Sequence, residues 1–167
     1  MSDNLEDRIQ LLEDTLAIQT LKYTYLNACD AKDVAKIIST FVTSGCMIDY
    51  GPVGSFTDSR DLAEVFQEIA CHDYMLESHH AHNPIINIID RFNASGHWSL
   101  TYNLINTSNS TISTLQGQYY DLYQKVDNCW LIKETTFKAS SSLNLEIEKN
   151  LLKVIFAGRA RQELQYS

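Results

Sequence analysis

The chain has 167 residues, 44% of them hydrophobic, and a formal net charge of −8. That length and apolar content predict one globular domain with a real core. The acidic balance, with no Lys/Arg-rich run to offset it, argues against general affinity for nucleic-acid backbones or anionic membranes.

The expected elements begin with helices. Asp3 followed by Glu6 resembles a capping box, and Leu5, Ile9, Leu12 and Leu16 recur at helical spacing. The apolar face then moves to Ile18, Leu21, Tyr25 and Ala28, which predicts a bend or a second helix after about residue 17. A short helix is expected over 33–41. A strand is expected over 45–50, broken by Gly51-Pro52-Val53-Gly54. A third helix is expected over 58–70, with Leu62, Val65, Phe66 and Ile69 on one side. From His79 the pattern turns to strands: 85–89, 97–105, 112–126 and 130–138, separated by turn signals and with a hairpin at Asp127-Asn128. Helices followed by antiparallel strands predict an α+β domain with helices on one face of a sheet. Residues 140–143 read as a linker, and Leu145, Leu151, Leu152, Ile155 and Phe156 predict a C-terminal helix.

No apolar stretch approaches the ~20 residues that cross a bilayer. The start, MSDNLEDR, has no basic segment leading into an apolar one, so a cytoplasmic protein without signal peptide is expected. The four cysteines, Cys29, Cys46, Cys71 and Cys129, are scattered without CxxC spacing and read as reduced thiols.

Chemistry gathers where apolar elements meet turns. Tyr25 and Asp30 close the N-terminal helical run, Asp49-Tyr50 ends a strand, and His79-His80 opens another. A carboxylate that orients an imidazole, with phenols nearby, suffices for general acid–base catalysis. Each residue also has a plainer reading: Asp30 as a helix cap, Tyr25 as a core tyrosine, Tyr50 as a sheet-edge aromatic. On a continuous helix Tyr25 lies about 140° round from Asp30, so the two converge only if the helix ends between them. His80 and His82 share a strand face, yet nothing completes a metal set, and no metal is expected. His97 reads as strand surface.

Five segments in order, YLNACDAKDVAKI, MIDYGPVG, SHHAHNPIINI, SGHWSL and GQYYDLYQKVDNCWLIKE, resemble a SnoaL-like member of the NTF2-like superfamily. The nearest branch is that of scytalone dehydratase and bile-acid 7α-dehydratase. The resemblance spans roughly residues 5–138. It implies a cone formed by a curved antiparallel sheet wrapped by N-terminal helices around an apolar pocket, with a domain at 1–139 and a helical extension at 140–167 packed on the same domain or on a partner subunit. It also implies site positions: Asp30, His79, Tyr50 and Tyr25 as catalytic, and Trp98, Tyr119, Tyr102 and His80 as substrate-binding, with His80 the alternative base. The pattern departs where a second catalytic histidine is expected and this chain offers Leu104 or its neighbours, and where a serine and an asparagine fall on Gly117 and Tyr119.

The implied function is a cofactor-independent dehydratase or isomerase acting on a small hydrophobic carbonyl compound. The alternative is a non-catalytic ligand-binding or assembly module, because this fold serves both. Strands with apolar residues of both parities, such as Ile85/Ile86 and Ile88/Ile89, predict an exposed apolar face and a homodimer or larger homo-oligomer.

Overall fold

A computed structural model describes residues 4–148. The first helix, α1, runs Leu5–Ala31 as one piece of 27 residues. Asn4, not Asp3, is its cap, its side chain accepting from the Asp7 N–H at 2.8 Å. Lys32 ends it in a left-handed conformation, φ 59°, with its N–H directed at the Ala28 and Cys29 carbonyls. The expected break after residue 17 is absent. The apolar face shifts because the surface beneath the helix changes. Leu5, Ile9, Leu12 and Leu16 remain exposed, whereas Ile18, Lys22, Tyr25, Leu26 and Cys29 are buried.

Helix α2, Val34–Ser39, follows a cap at Asp33. Strand β1, Met47–Asp49, leads through a single 3-10 turn, Gly51–Val53, into β2, Ser55–Phe56. Helix α3, Ser59–Ile69, is capped by Asp58, whose side chain accepts from the Arg60 N–H. Four long strands complete the described chain: β3 (Met75–Ile88), β4 (Asn93–Asn106), β5 (Thr111–Val126) and β6 (Cys129–Glu146). The spatial order is β2-β1-β6-β5-β4-β3. The expected antiparallel strands β3–β6 form the body of the sheet, and β1 extends it by running parallel to β6.

The β5–β6 hairpin turns at Asp127-Asn128, both with positive φ (48° and 63°), the backbone of a type I′ turn. Two strands exceed their sequence reading. β3 begins four residues before His79, so Glu77 is already part of the strand. β6 continues to Glu146, so the residues expected to form a linker, and the domain boundary placed at 139/140, fall inside a strand. Ser141 and Ser142 pair with Gln116 and Leu115 on β5, Ser140 lying at a register shift, and that pairing overrides their low strand propensity. The expected C-terminal helix lies, from residue 149 onward, outside the described residues.

β3 is an edge strand, where the missing N–H of Pro84 is tolerated. Its pairing with β4 shifts between His82 and Ile85, and Asn83 there has φ 50°. The extra residue reverses the parity of the strand. His79 and Ala81 face inward before it, opposite Tyr102 and Leu100; Ile86 and Ile88 face inward after it, opposite Gly96 and Ala94. Ile85 and Ile89 are left 59% and 63% exposed.

The core lies between α1 and the concave face of the sheet, built from Ile18, Leu26, Ile37, Phe41, Trp98, Leu100, Tyr123 and Ile132 among others. No helix among the described residues is long and apolar enough to cross a membrane.

Candidate active site

Between α1, α3, the turn after β1 and the inward faces of β3–β6 lies a cavity of about 390 Å³, within the range typical of small-ligand sites. Its walls are mostly apolar, including Ile37, Leu62, Phe66, Leu100, Leu115 and Phe137. The polar side chains among them are Tyr25, Cys29, Tyr50, Glu77, His79, Tyr102 and Tyr119.

His79 reaches the cavity from β3, and Asp30, in the last turn of α1, stands behind it. The His79 Nδ1 and Asp30 Oδ1 atoms are 2.6 Å apart. The backbone N–H of His79 also donates to the carboxylate, at 3.1 and 3.0 Å. A carboxylate accepting at Nδ1 fixes the neutral imidazole with its proton on that nitrogen and its lone pair on Nε2. The Asp30 side chain is 27% exposed and that of His79 14%. Asp30 therefore serves as more than a cap.

Tyr25 does not approach Asp30. The helix continues past both residues, and the 140° separation sends them to different walls. Tyr25 instead shares a hydrogen bond of 2.8 Å with the Tyr50 hydroxyl. Tyr119 lies edge-on to Tyr50, ring centres 5.9 Å apart. Burial pushes the phenols of Tyr25, Tyr50 and Tyr119 well above the ordinary tyrosine value, and the proximity of the phenols to one another adds to the rise for Tyr25 and Tyr119. These groups stay protonated and act as hydrogen-bond donors.

Tyr102 tilts against the His79 ring, centroids 4.7 Å apart, and its hydroxyl donates to Glu77 Oε1 at 2.8 Å. Burial, then the Asp30 charge, raises Tyr102 to about 12. Glu77 also pairs with Lys32, just beyond the end of α1. Cys29 is pushed up to about 12, chiefly by burial, so it lines the cavity as a thiol and not as a nucleophile.

Two expected binding residues lie elsewhere. Trp98 faces inward but farther along β4. It is fully buried, donating from Nε1 to the Tyr123 hydroxyl at 2.9 Å and packing edge-on to Tyr23. Its bulk fills the interior and does not line the cavity. His80 is exposed because period two turns it to the face opposite His79; it stacks with His82, centroids 6.2 Å apart. No group of three potential metal ligands converges among the described residues. His97 is partly buried on the outer face, stacked on Tyr120.

Three residues near the cavity escape sequence reading: Glu77, Lys22 and Asp121. Lys22 had a visible signal, a charge within the stripe Ile18, Lys22, Tyr25, Cys29. It is 0% exposed, and its Nζ lies 2.8 Å from Asp121 Oδ2. Asp121 likewise interrupts an inward row of Tyr119 and Tyr123 on β5.

A model of the SnoaL-like domain family matches residues 10–136. Among solved structures, the chain resembles a protein from Novosphingobium aromaticivorans assigned provisionally as a scytalone dehydratase. The TM-score is 0.74 at 21% identity, covering 82% of this chain and 91% of that one. It also resembles hexachlorocyclohexane dehydrochlorinase LinA type 2, with a TM-score of 0.76 at 12% identity over 87% and 99% of the two chains. The type 3 enzyme of Novosphingobium barchaimii gives 0.74 at 12% identity over 83% and 94%. At these identities the likeness speaks for the fold.

Proposed function

Since the chain belongs to the SnoaL-like domain family, whose fold surrounds a pocket, we propose that it is a cofactor-independent lyase or isomerase acting on a small hydrophobic carbonyl compound. The observation that carries this reading is the 2.6 Å contact between Asp30 and His79 in the wall of an apolar cavity.

Asp30 holds the His79 tautomer, and Nε2 takes a proton from the carbon beside the substrate carbonyl. The released electron pair passes into an enolate, whose oxygen accepts hydrogen bonds from the phenols. If a hydroxyl sits on the next carbon, collapse of the enolate forms C=C and expels it, and the imidazolium returns the proton so that water leaves. If a C=C stands β,γ to the carbonyl instead, the pair spreads into a dienolate, and return of the proton to the γ-carbon gives the conjugated isomer. The phenols are too weakly acidic to surrender protons outright, so their contribution is oxyanion stabilisation. Imidazole is the proton carrier. Tyr102, against the His79 ring, positions the ring and borders the substrate.

A non-catalytic binding module has no need for a tautomer-fixing contact, which is why the enzymatic reading is preferred. The neighbours named as a scytalone dehydratase and as dehydrochlorinases are consistent with elimination chemistry on this fold. The same reading carries assembly. Ile85, His97 and Tyr120 form one row across the outer face of the sheet, with Ile85 and Tyr120 59% and 44% exposed, supporting a homodimer or larger homo-oligomer. Sedimentation at high micromolar concentration tests it, and a monomer there refutes it.

The catalytic test needs no knowledge of the natural substrate. Hydrogen–deuterium exchange at the α-carbon of small cyclic ketones, followed by NMR in D₂O, is expected to be accelerated by the protein. It is expected to fall to background in His79→Ala. Equal exchange in both proteins refutes the base assignment.

A further inference from the structure

Behind the tyrosine wall lies a buried charge pair that the mechanism above does not use. Lys22 projects from α1 into the interior. Its Nζ is 2.8 Å from Asp121 Oδ2 and 3.5 Å from the centre of the Tyr119 ring, with the Tyr25 ring 5.5 Å away. The contact with Asp121 is a short ion pair that occupies one side of the ammonium, and the Tyr119 ring faces another.

Asp121 is secured from its other sides. Thr135 donates to Oδ1 at 2.7 Å, Tyr123 donates to Oδ2 at 2.7 Å, and Trp98 in turn donates to the Tyr123 hydroxyl at 2.9 Å. The pair is therefore neutral in sum but oriented. Its positive end lies against Tyr119, a cavity residue, and its negative end is tied into the packed interior. Burial lowers the Lys22 pKa from its ordinary value, and the Asp121 carboxylate opposes that fall.

An ion pair removed from water is a poor device for stability, because apolar side chains of the same volume often serve as well or better. A cation over the face of a phenol, in contrast, draws electron density from the ring and strengthens its O–H as a donor. We propose that Lys22, held by Asp121, is a positioning and polarising residue that tunes the Tyr119 hydroxyl to hold a negatively charged oxygen, of enolate or phenolate class, in the cavity. The proposal deepens the acid–base reading and rests on it only for the origin of that oxygen.

The test uses a probe in place of a substrate. 4-Nitrophenol reports by its absorbance whether it is bound as phenol or phenolate, and 4-nitrotoluene is a neutral probe of similar shape. The variant is Lys22→Met/Asp121→Asn, which removes both charges together and leaves no buried ion unpaired. Wild type is expected to bind the phenolate in preference to 4-nitrotoluene. The double variant is expected to lose about tenfold in phenolate affinity, one unit on the probe's ionisation scale, while 4-nitrotoluene affinity holds within about twofold. Tyr119→Phe is expected to lose the same phenolate preference, and adding Lys22→Met/Asp121→Asn to it should cost no more. Equal weakening of both probes in the double variant would mean that the pair merely shapes the cavity, and overturns the proposal. No change in either probe, or no phenolate preference in wild type, overturns it too. The outcome is independent of ketone exchange by His79, so failure of one reading leaves the other distinguishable.

Discussion

The concave face of the sheet is used in two ways. Toward the β5–β6 turn it is solid, with Trp98, Tyr123, Asp121, Thr135 and Lys22 meeting in a hydrogen-bonded and ion-paired cluster. Toward the other end of the same strands it is hollow, lined by Leu100, Tyr102, Leu115, Tyr119 and Ala139. Along β4 and β5 the strands and parity are shared, and only the side chains differ. In the solid half, the polar groups satisfy one another. In the hollow half, His79 is secured through Nδ1 and the Tyr25–Tyr50 pair through one shared bond, leaving acceptor or donor capacity directed at the cavity. Side-chain volume and the placement of unused hydrogen-bonding capacity, not strand geometry, separate a core from a site.

The sharpest way to break that contrast is in the hollow half. Asp30→Asn, read in the ketone-exchange assay, is expected to lower the rate by about 10²–10⁴-fold, with the circular-dichroism spectrum and urea midpoint little changed. A large loss of stability instead would place Asp30 among the structural carboxylates.

In the solid half the order reverses. Lys22→Ala strands the Asp121 carboxylate in a buried setting and is expected to cost about 3–5 kcal/mol in urea unfolding. Lys22→Met/Asp121→Asn should recover much of that loss. A single variant as stable as the double would show that water reaches Asp121.

The boundary between the halves can be moved. A Cβ on Gly117 would collide with Phe137 Cζ and lie 2.6 Å from the Lys138 carbonyl oxygen. Because the latter is backbone, rotation of Phe137 alone cannot relieve the crowding. Gly117→Ala is expected to cost about 1–3 kcal/mol and to weaken 4-nitrotoluene binding by displacing Phe137 in the cavity wall.

The smallest effect concerns pH. Tyr102, raised to about 12 in the folded protein, ionises near ~10 when unfolded. Between those values the unfolded chain binds fewer protons, so stability falls as pH rises. The contribution of Tyr102 is whole below pH ~10 and is lost as pH passes through about 12. Tyr102→Phe should flatten the alkaline slope of the urea midpoint, and an identical slope would refute the assignment.

Much of this contrast was legible before folding. The helix-then-strand order, the third helix starting near residue 58 and the Asp127-Asn128 turn followed from local chemistry, and the family resemblance brought Asp30, Tyr50 and His79 forward. What local patterns could not supply was the extent of each partner surface. The stripe from Leu5 to Leu16 looked like a buried helix face followed by a bend, but it belongs to a helix that outruns the sheet. Ser140–Ser142 looked like a linker because their strand depends on β5, distant in sequence. Trp98 shares its face with Leu100 and Tyr102, and only its depth along β4 removes it from the cavity. Lys22 stood out as a charge in an apolar stripe, but its role stayed unread because its partner Asp121 comes from β5, distant in sequence.

The shift at Asn83-Pro84 gives β3 two phases. Upstream, odd-numbered residues face the interior and one of them is His79; downstream, even-numbered residues do, and they are Ile86 and Ile88. The strand is thus spliced from a chemical half and an anchoring half whose reading frames are offset by one residue. Deleting Asn83 would merge the frames. Either the imidazole or the isoleucines would then turn outward, so a one-residue change on an outlying strand would force a choice between the reaction and the anchor.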